Sequence, residues 1–230
     1  AGFLAGSLTL VLLPTVERLF DVTTGMTLGE WRDPKQPLLR KLQLQAPGTF
    51  NHSHTVATLA EAAAEAVGAN GLHVYVGALY HDIGKIAIPD SILLKPGRLD
   101  ADEWEIMKTH TTKGREMIDT IISDLGIDSL PNDTILRNIV ELHHEAINGS
   151  GYPHGLSGDD IPLEARIVAV ADVYDALTAV RPYKRASTPQ EAMAELVRMV
   201  DMGKLDPECV TALRRGFEES EAIRTRYPDD

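Results

Sequence analysis

Eight histidines occur in this chain, and they keep company with carboxylates rather than scatter. His81-Asp82 closes an otherwise apolar segment, and the tandem pair His143-His144 closes another, followed by Glu145. His52 opens an alanine-rich segment, His110 lies within a long helical one, and Asp172 interrupts the apolar run IVAVADVYDAL. An ionised aspartate inside a buried helix is costly unless a metal ion or a cationic partner compensates it. A carboxylate can bridge two cations while imidazoles fill the remaining positions on each. His52, His81, Asp82, His110, His143, His144 and Asp172 therefore suffice for a dinuclear centre. Any one of these histidines alone is more often an ordinary core or surface residue. Seven residues of ligand type at helix ends and in apolar helices point instead to a metal site.

The elements that must position them read almost entirely as helix. His52 to Val67 has alanines and leucines at helical spacing and stops at Gly68; Leu72 to Ile83 is a second, mostly apolar helix closed by Gly84. IAIPDSILLKPGRL, with two prolines and a glycine, predicts a loop with room for a short hairpin. Asp100 is placed to cap a long helix running to about Asp124, with Glu103 completing a capping box. Asn132 to Glu145 and Leu163 to Val180 are further helices, separated by the irregular, glycine-rich INGSGYPHGLSGDDIP. Thr188-Pro189 with Glu191, and Asp206-Pro207, open two final helices. Upstream, Thr23 to Gly48 is broken by glycines and prolines and predicts a connector with one short helix. The expected organisation is an anchor segment over 1–22, a connector over 23–48 and an all-α catalytic domain over 49–230.

Composition narrows the partners. Of the 230 residues 43% are hydrophobic, 24% charged and 5% aromatic, which suits aliphatic helix packing better than an aromatic-rich β-sandwich. The net charge of −12 argues against binding DNA or RNA polymers, which needs clustered Lys and Arg. A small phosphate ligand is compatible with it, because bound metal ions supply the local positive field. The lone Cys209 excludes an internal disulfide, fits a reducing compartment and reads as helix packing. Ala1 to Val16 carries no charge, yet is shorter than the roughly 20 residues of a bilayer-spanning helix and lacks a basic start. The cut end of a membrane helix, a buried helix and an interfacial segment all fit, and the first is favoured.

Taken as long motifs, HSHTVATLAE, HDIGKIAIPDSILLKPGRLDADEWEIMKTH and HHEAINGSGYPHGLSGDDIPLEARIVAVADVYDALTAVRPYK closely resemble the HD-GYP family of the HD phosphohydrolase superfamily, over His52 to Pro207. The resemblance implies an all-α, HD-domain helical bundle with an irregular GYP loop, two or three bound metals, often iron or manganese, and hydrolysis of cyclic di-GMP to the linear dinucleotide or GMP. It implies that His52, His81, Asp82 and Asp172 hold one metal, and that Asp82 bridges to a second completed by His110, His143 and His144. Some members hold a third metal through a glutamate four residues before the first histidine; here that position is Gly48, so two metals are expected. Such cations lower the pKa of water for in-line attack on phosphorus and neutralise charge on the phosphoryl oxygens. Lys85 would bind a non-bridging oxygen, Gly151-Tyr152-Pro153 would form the signature loop beside the substrate, and Arg181 and Lys184 would meet the second phosphate.

Two departures qualify the resemblance. Asn148 stands where the family usually has an aspartate. Residues 12–85, meanwhile, resemble a different branch, the seven-transmembrane receptors with an intracellular HD domain that degrade cyclic di-AMP. That likeness accords with a membrane anchor, a catalytic domain in the cytoplasm of a bacterial cell, and a homodimer, and it makes cyclic di-AMP the rival substrate. A non-catalytic cyclic-dinucleotide signalling module is the alternative from another class. Loss of His or Asp ligands would favour it, and none is lost.

Overall fold

The computed structural model describes residues 25–124, 133–179 and 185–216. It is all-α: among the described residues no strand forms, and the only β pairing is an isolated bridge between Asn148 and Ser157. The helices are α1 (Gly25–Trp31), α2 (Pro37–Gln45), α3 (Pro47–Ala66), α4 (Gly71–Tyr80), α5 (Asp90–Leu93), α6 (Ala101–Lys108), α7 (His110–Asp124), α8 (Asp133–Leu142), α9 (Leu163–Thr178), α10 (Pro189–Asp201) and α11 (Pro207–Arg215). Short 3₁₀ turns occupy Ile83–Ala87 and Gly158–Asp160. The expected anchor segment 1–22 lies outside the described residues. No helix among the described residues is long and apolar enough to cross a membrane.

Helix α3 is the central strut. Proline at its first turn fixes a helical φ where no intrahelical N–H is needed, and its alanine-rich faces admit close neighbours on several sides. It packs against α4, α9, α2 and α11. Val56, Leu59, Leu79, Val168 and Tyr174 of these helices are fully buried, as is Ile139 of α8. Helix α4 lies against α8 through Gly77, where a Cβ would come within 2.3 Å of Ile139 Cδ1.

Several expectations are corrected. The stretch read as a connector carries two helices, and Leu39 and Leu42 of α2 are fully buried, so packing begins well upstream of residue 49. His52 lies inside α3 rather than at its start. The segment after Gly84 forms a 3₁₀ turn and the single-turn α5, with no hairpin. The long helix expected from Asp100 breaks at Thr109, so His110 opens a new helix. Hydroxyls of Thr109, Thr111 and Thr112 each donate to the carbonyl three residues back, competing with the helical N–H ladder where the axis breaks. The capping boxes Asp100/Glu103 and Thr188/Glu191 and the Asp206 cap form as the residues predict.

Candidate metal centre

Five elements converge on one point. His52 projects from α3, His81 and Asp82 follow α4, His110 begins α7, His143 and His144 follow α8, and Asp172 sits mid-way along α9. Glycine sets how closely two of them approach. A Cβ on Gly84 would stand 1.9 Å from the His110 carbonyl oxygen and 2.5 Å from Gly114 N, and one on Gly114 would be 2.8 Å from Val140 Cγ1. The 3₁₀ turn after Asp82 therefore rests directly on the backbone of α7, which brings His110 beside Asp82.

All seven expected residues are brought together, in two groups. Ligand-type atoms of Asp82, His110, His143 and His144 lie within 4.8 Å of one another, and so do those of His52, His81 and Asp172. Asp82 faces both: its Oδ1 is 3.3 Å from His110 Nε2 and its Oδ2 3.4 Å from His81 Nε2. Asp172 Oδ1 is 3.0 Å from His52 Nε2, and its Oδ2 is 3.8 Å from His144 Nδ1.

The protonation pattern suits cations. Nδ1 of His81, His110 and His143 donates to the carbonyl of Ala78 (2.7 Å), Met107 (2.8 Å) and Ile139 (2.9 Å) respectively. A carbonyl only accepts, so each Nδ1 carries the hydrogen and each Nε2 is left with a lone pair aimed inward. His110 Nε2 and His143 Nε2 face each other at 3.4 Å, and His81 Nε2 and Asp82 Oδ1 are buried without a hydrogen-bond partner. Facing lone pairs and orphaned acceptors are what a positive ion satisfies.

The charges agree. Burial pushes His81 and His110 below the ordinary histidine range, His143 well below it and His144 down to about 3, which keeps the imidazoles in the neutral form that binds metals. Burial opposes the charge on Asp82, but the Lys85 ammonium beside it prevails and its carboxyl is held well below the usual range. Lys85 Nζ donates to Asp82 Oδ2 at 2.6 Å. Burial would also lower His52, yet hydrogen bonds to Asp172 and Asp175 push it up to about 10. An imidazolium and a metal ion are thus alternatives for balancing these carboxylates.

The rim is a loop built around Glu145. Its buried carboxylate accepts from the backbone N–H groups of His154 (2.7 Å), Gly155 (3.1 Å) and Leu156 (3.0 Å), folding the loop back on itself. Gly151 lies against that turn, where a Cβ would meet Ala146 N at 2.4 Å and Glu145 Cα at 2.5 Å. Tyr152 N donates to the His144 carbonyl at 3.1 Å, and its ring lies over the His144 imidazole, centroids 4.8 Å apart. The Tyr152-Pro153 peptide is cis. Through Tyr152 the loop borders an open cavity of about 500 Å³ reaching down to His52, His110, His144 and Asp172.

Sequence comparison decides the family: a model described as HD domain matches residues 37–209. The chain belongs to the HD-domain family. It is 43% identical over 197 residues to the cyclic di-GMP phosphodiesterase response regulator RpfG of Xanthomonas campestris pv. campestris (strain 8004), covering 84% of this chain and 50% of that protein. It is 45% identical over 150 residues to the 3'3'-cGAMP-specific phosphodiesterase 2 of Vibrio cholerae serotype O1, covering 65% of this chain and 27% of that protein. The chain therefore spans half or less of the length of these curated relatives. Among solved structures it resembles the HD domain of the L. monocytogenes phosphodiesterase PgpH in complex with cyclic di-AMP, with a TM-score of 0.60 and 24% identity, covering 84% of this chain and 97% of that one. That likeness shows a shared fold. The expected likeness of the N-terminal third to seven-transmembrane receptors is not among what these matches support.

Within the HD domain, Lys85 and Tyr152 line the cavity. Gly151 and Pro153 flank Tyr152 in the rim loop. Arg181 and Lys184 lie outside the described residues. Two residues went unassigned in the sequence. Asp175 accepts from His52 Nδ1 at 2.5 Å, and its signal is legible in retrospect, since it follows Asp172 by three residues and shares its helix face. Glu145 follows the histidine pair, but nothing local announces hydrogen bonds to residues nine to eleven positions away.

Proposed function

We propose that this HD domain is a metal-dependent phosphodiesterase of the HD-GYP type that hydrolyses cyclic di-GMP to the linear dinucleotide or GMP. The observation that carries the reading is the pair of ligand groups meeting at Asp82, whose two oxygens face opposite imidazoles. The 43%-identical relative named as a cyclic di-GMP phosphodiesterase supports the choice of substrate. His52, His81, Asp82 and Asp172 would hold one divalent transition metal, and Asp82, His110, His143 and His144 a second. Imidazole and carboxylate donors suit iron or manganese. Gly48, at the position from which a glutamate could hold a third, has no side chain to offer, which favours two.

When bound, such a pair of cations supplies a nucleophile at neutral pH by acidifying water and offsets charge on the phosphoryl oxygens. The chain's own groups do the positioning. Main-chain carbonyls fix the rings of His81, His110 and His143, and Asp175 fixes that of His52. Lys85, at the cavity wall beside Asp82, donates to a non-bridging phosphoryl oxygen. Tyr152 roofs His144 and limits water on that side, while the tight Gly151 turn lets the loop backbone approach the substrate. Arg181 and Lys184 are assigned to the second phosphate.

A second reading, hydrolysis of 3'3'-cGAMP, is favoured by the 45%-identical Vibrio cholerae relative. Product chromatography of the manganese- or iron-loaded chain with cyclic di-GMP, 3'3'-cGAMP and cyclic di-AMP separates these readings. The expected outcome is consumption of cyclic di-GMP, with Asp82→Ala slower by roughly 10³-fold or more, as when a whole catalytic unit is disabled. Intact substrates of all three kinds after incubation with metal-loaded protein would rule the enzyme out.

A further inference from the structure

The two tryptophans of the chain are used differently. Trp31 is buried against Tyr80, ring centroids 5.6 Å apart. Trp104 is 46% exposed, on the two-turn helix α6, none of whose residues is buried. That helix is held by its start, through the Asp100/Glu103 capping box and an ion pair between Lys95 and Glu103, rather than by packing of the indole. A large aromatic ring left half in water forfeits burial that the fold could have used.

Its position supplies a reason. Trp104 lines the same cavity as His110, His144 and Asp172, with Leu99 and Met107 beside it. Its ring is 6.2 Å from that of Tyr152 at an interplanar angle of 81°, and a perpendicular contact covers at most one face of the indole. Tyr152 in turn lies on His144. The indole thus stands one ring beyond the ring that touches the ligand groups. With a phosphodiester at the His/Asp floor, the attached purine must lie a ribose's length away, against this wall. We propose that Trp104 is a nucleobase platform, on which one purine of the cyclic dinucleotide stacks; this rests on the reading of the site as a cyclic-dinucleotide phosphodiesterase. Lys108 Nζ, 5.9 Å over the Tyr152 ring, is paired with Glu105 Oε2 at 2.8 Å, so the wall itself is aromatic rather than charged.

Two measurements test the platform. Trp104→Ala raises KM for cyclic di-GMP by roughly 5- to 100-fold, the effect of one lost base–aromatic stack, while kcat changes little. Trp104→Phe, which keeps a ring, recovers most of the loss. Because nothing in α6 is buried, the Ala variant should melt like the parent. Separately, in a Trp31→Phe background Trp104 is the sole tryptophan, and the hydrolysis-resistant phosphorothioate analogue of cyclic di-GMP should quench its fluorescence, whereas ribose 5-phosphate, which has no base, should not. An unchanged KM in Trp104→Ala, or equal responses to the two probes, overturns the platform while hydrolysis by the parent chain leaves the enzymatic reading standing. A parent chain that hydrolyses no cyclic dinucleotide sinks both.

Discussion

The ligand group around His110 and the group around His52 use similar donors but are oriented by different means. His110 and His143 are each 1% exposed, and each is held by a carbonyl in the helical turn just before it, Met107 O and Ile139 O. The side chains of His52 and Asp172 are 12% and 15% exposed, and the orienting partner of His52 is another side chain, Asp175, from the distant helix α9. His81, in the second group, is held in the first manner, by Ala78 O. A carbonyl in a helical turn cannot move without disturbing the turn, whereas a carboxylate can be altered with the fold intact. Apart from His144, whose side chain is 27% exposed, the rings of the first group are therefore set by the backbone, and the second group is set largely by side-chain chemistry. A metal in the first should leave slowly and one in the second more readily, although both groups reach the cavity, the first through His110 and His144 and the second through His52 and Asp172.

The sharpest way to break the backbone-set group is Gly84→Ala. The new Cβ would overlap main-chain atoms of His110 and Gly114, which cannot rotate away as a side-chain tip would. We expect a loss of about 3 kcal/mol of stability or more, the upper end of overpacking effects. Denaturant unfolding checks this, and metal analysis of whatever folds should show the equivalent bound through His110 to be the one missing. A variant as stable and as metal-rich as the parent would mean that the close approach of the turn to α7 does not set this group.

The complementary change is Asp175→Asn, which spares the backbone. Removing an orienting carboxylate typically costs 10- to 100-fold in metal affinity, roughly, and that loss should fall on the His52 group alone. In a chelator titration the variant should give up one equivalent at much lower chelator concentration than the parent, and the second at an unchanged one. Equal weakening of both equivalents would refute the contrast between the groups.

The same contrast explains what the sequence disclosed. The seven ligand-type residues stood out because a charge or imidazole in an apolar helix is a local conflict, visible without any knowledge of distant contacts. Caps at Asp100, Thr188 and Asp206 were equally local. The prolines misled: Pro37 and Pro47 look like breaks in a connector, yet each sits at a helix start, where its ring is favourable. Which meaning a proline takes depends on whether the following turn finds a core, as Leu39 and Leu42 do. The break before His110 was hidden for a related reason, since threonines are tolerated in helices until several hydroxyls in succession compete with backbone N–H groups for the carbonyls three residues back. Glu145 was illegible because its partners are backbone N–H groups, which every residue of the loop possesses.

Asn148 bears on the rim rather than on either ligand group, so its effect should be the smallest. The resemblance to HD-GYP proteins leads one to expect aspartate there. Asparagine does what aspartate cannot: its Nδ2 donates to Met202 O at 3.1 Å while its Oδ1 accepts from Ser150 N at 3.1 Å and Ser150 Oγ at 2.6 Å. A carboxylate keeps the second pair but sets two acceptors against each other at Met202. The neighbouring bond from Ile147 N to Lys204 O, 3.1 Å, still ties the loop to the turn before α11. Asn148→Asp should therefore cost about 1 kcal/mol or less, the worth of one exposed hydrogen bond, with metal content unchanged and kcat/KM within a few-fold of the parent. Thermal unfolding and steady-state kinetics on cyclic di-GMP measure both. A tenfold gain in kcat/KM at unchanged stability would instead mean that a negative charge at this corner acts on the substrate, and that the rim is tuned by chemistry as the His52 group is.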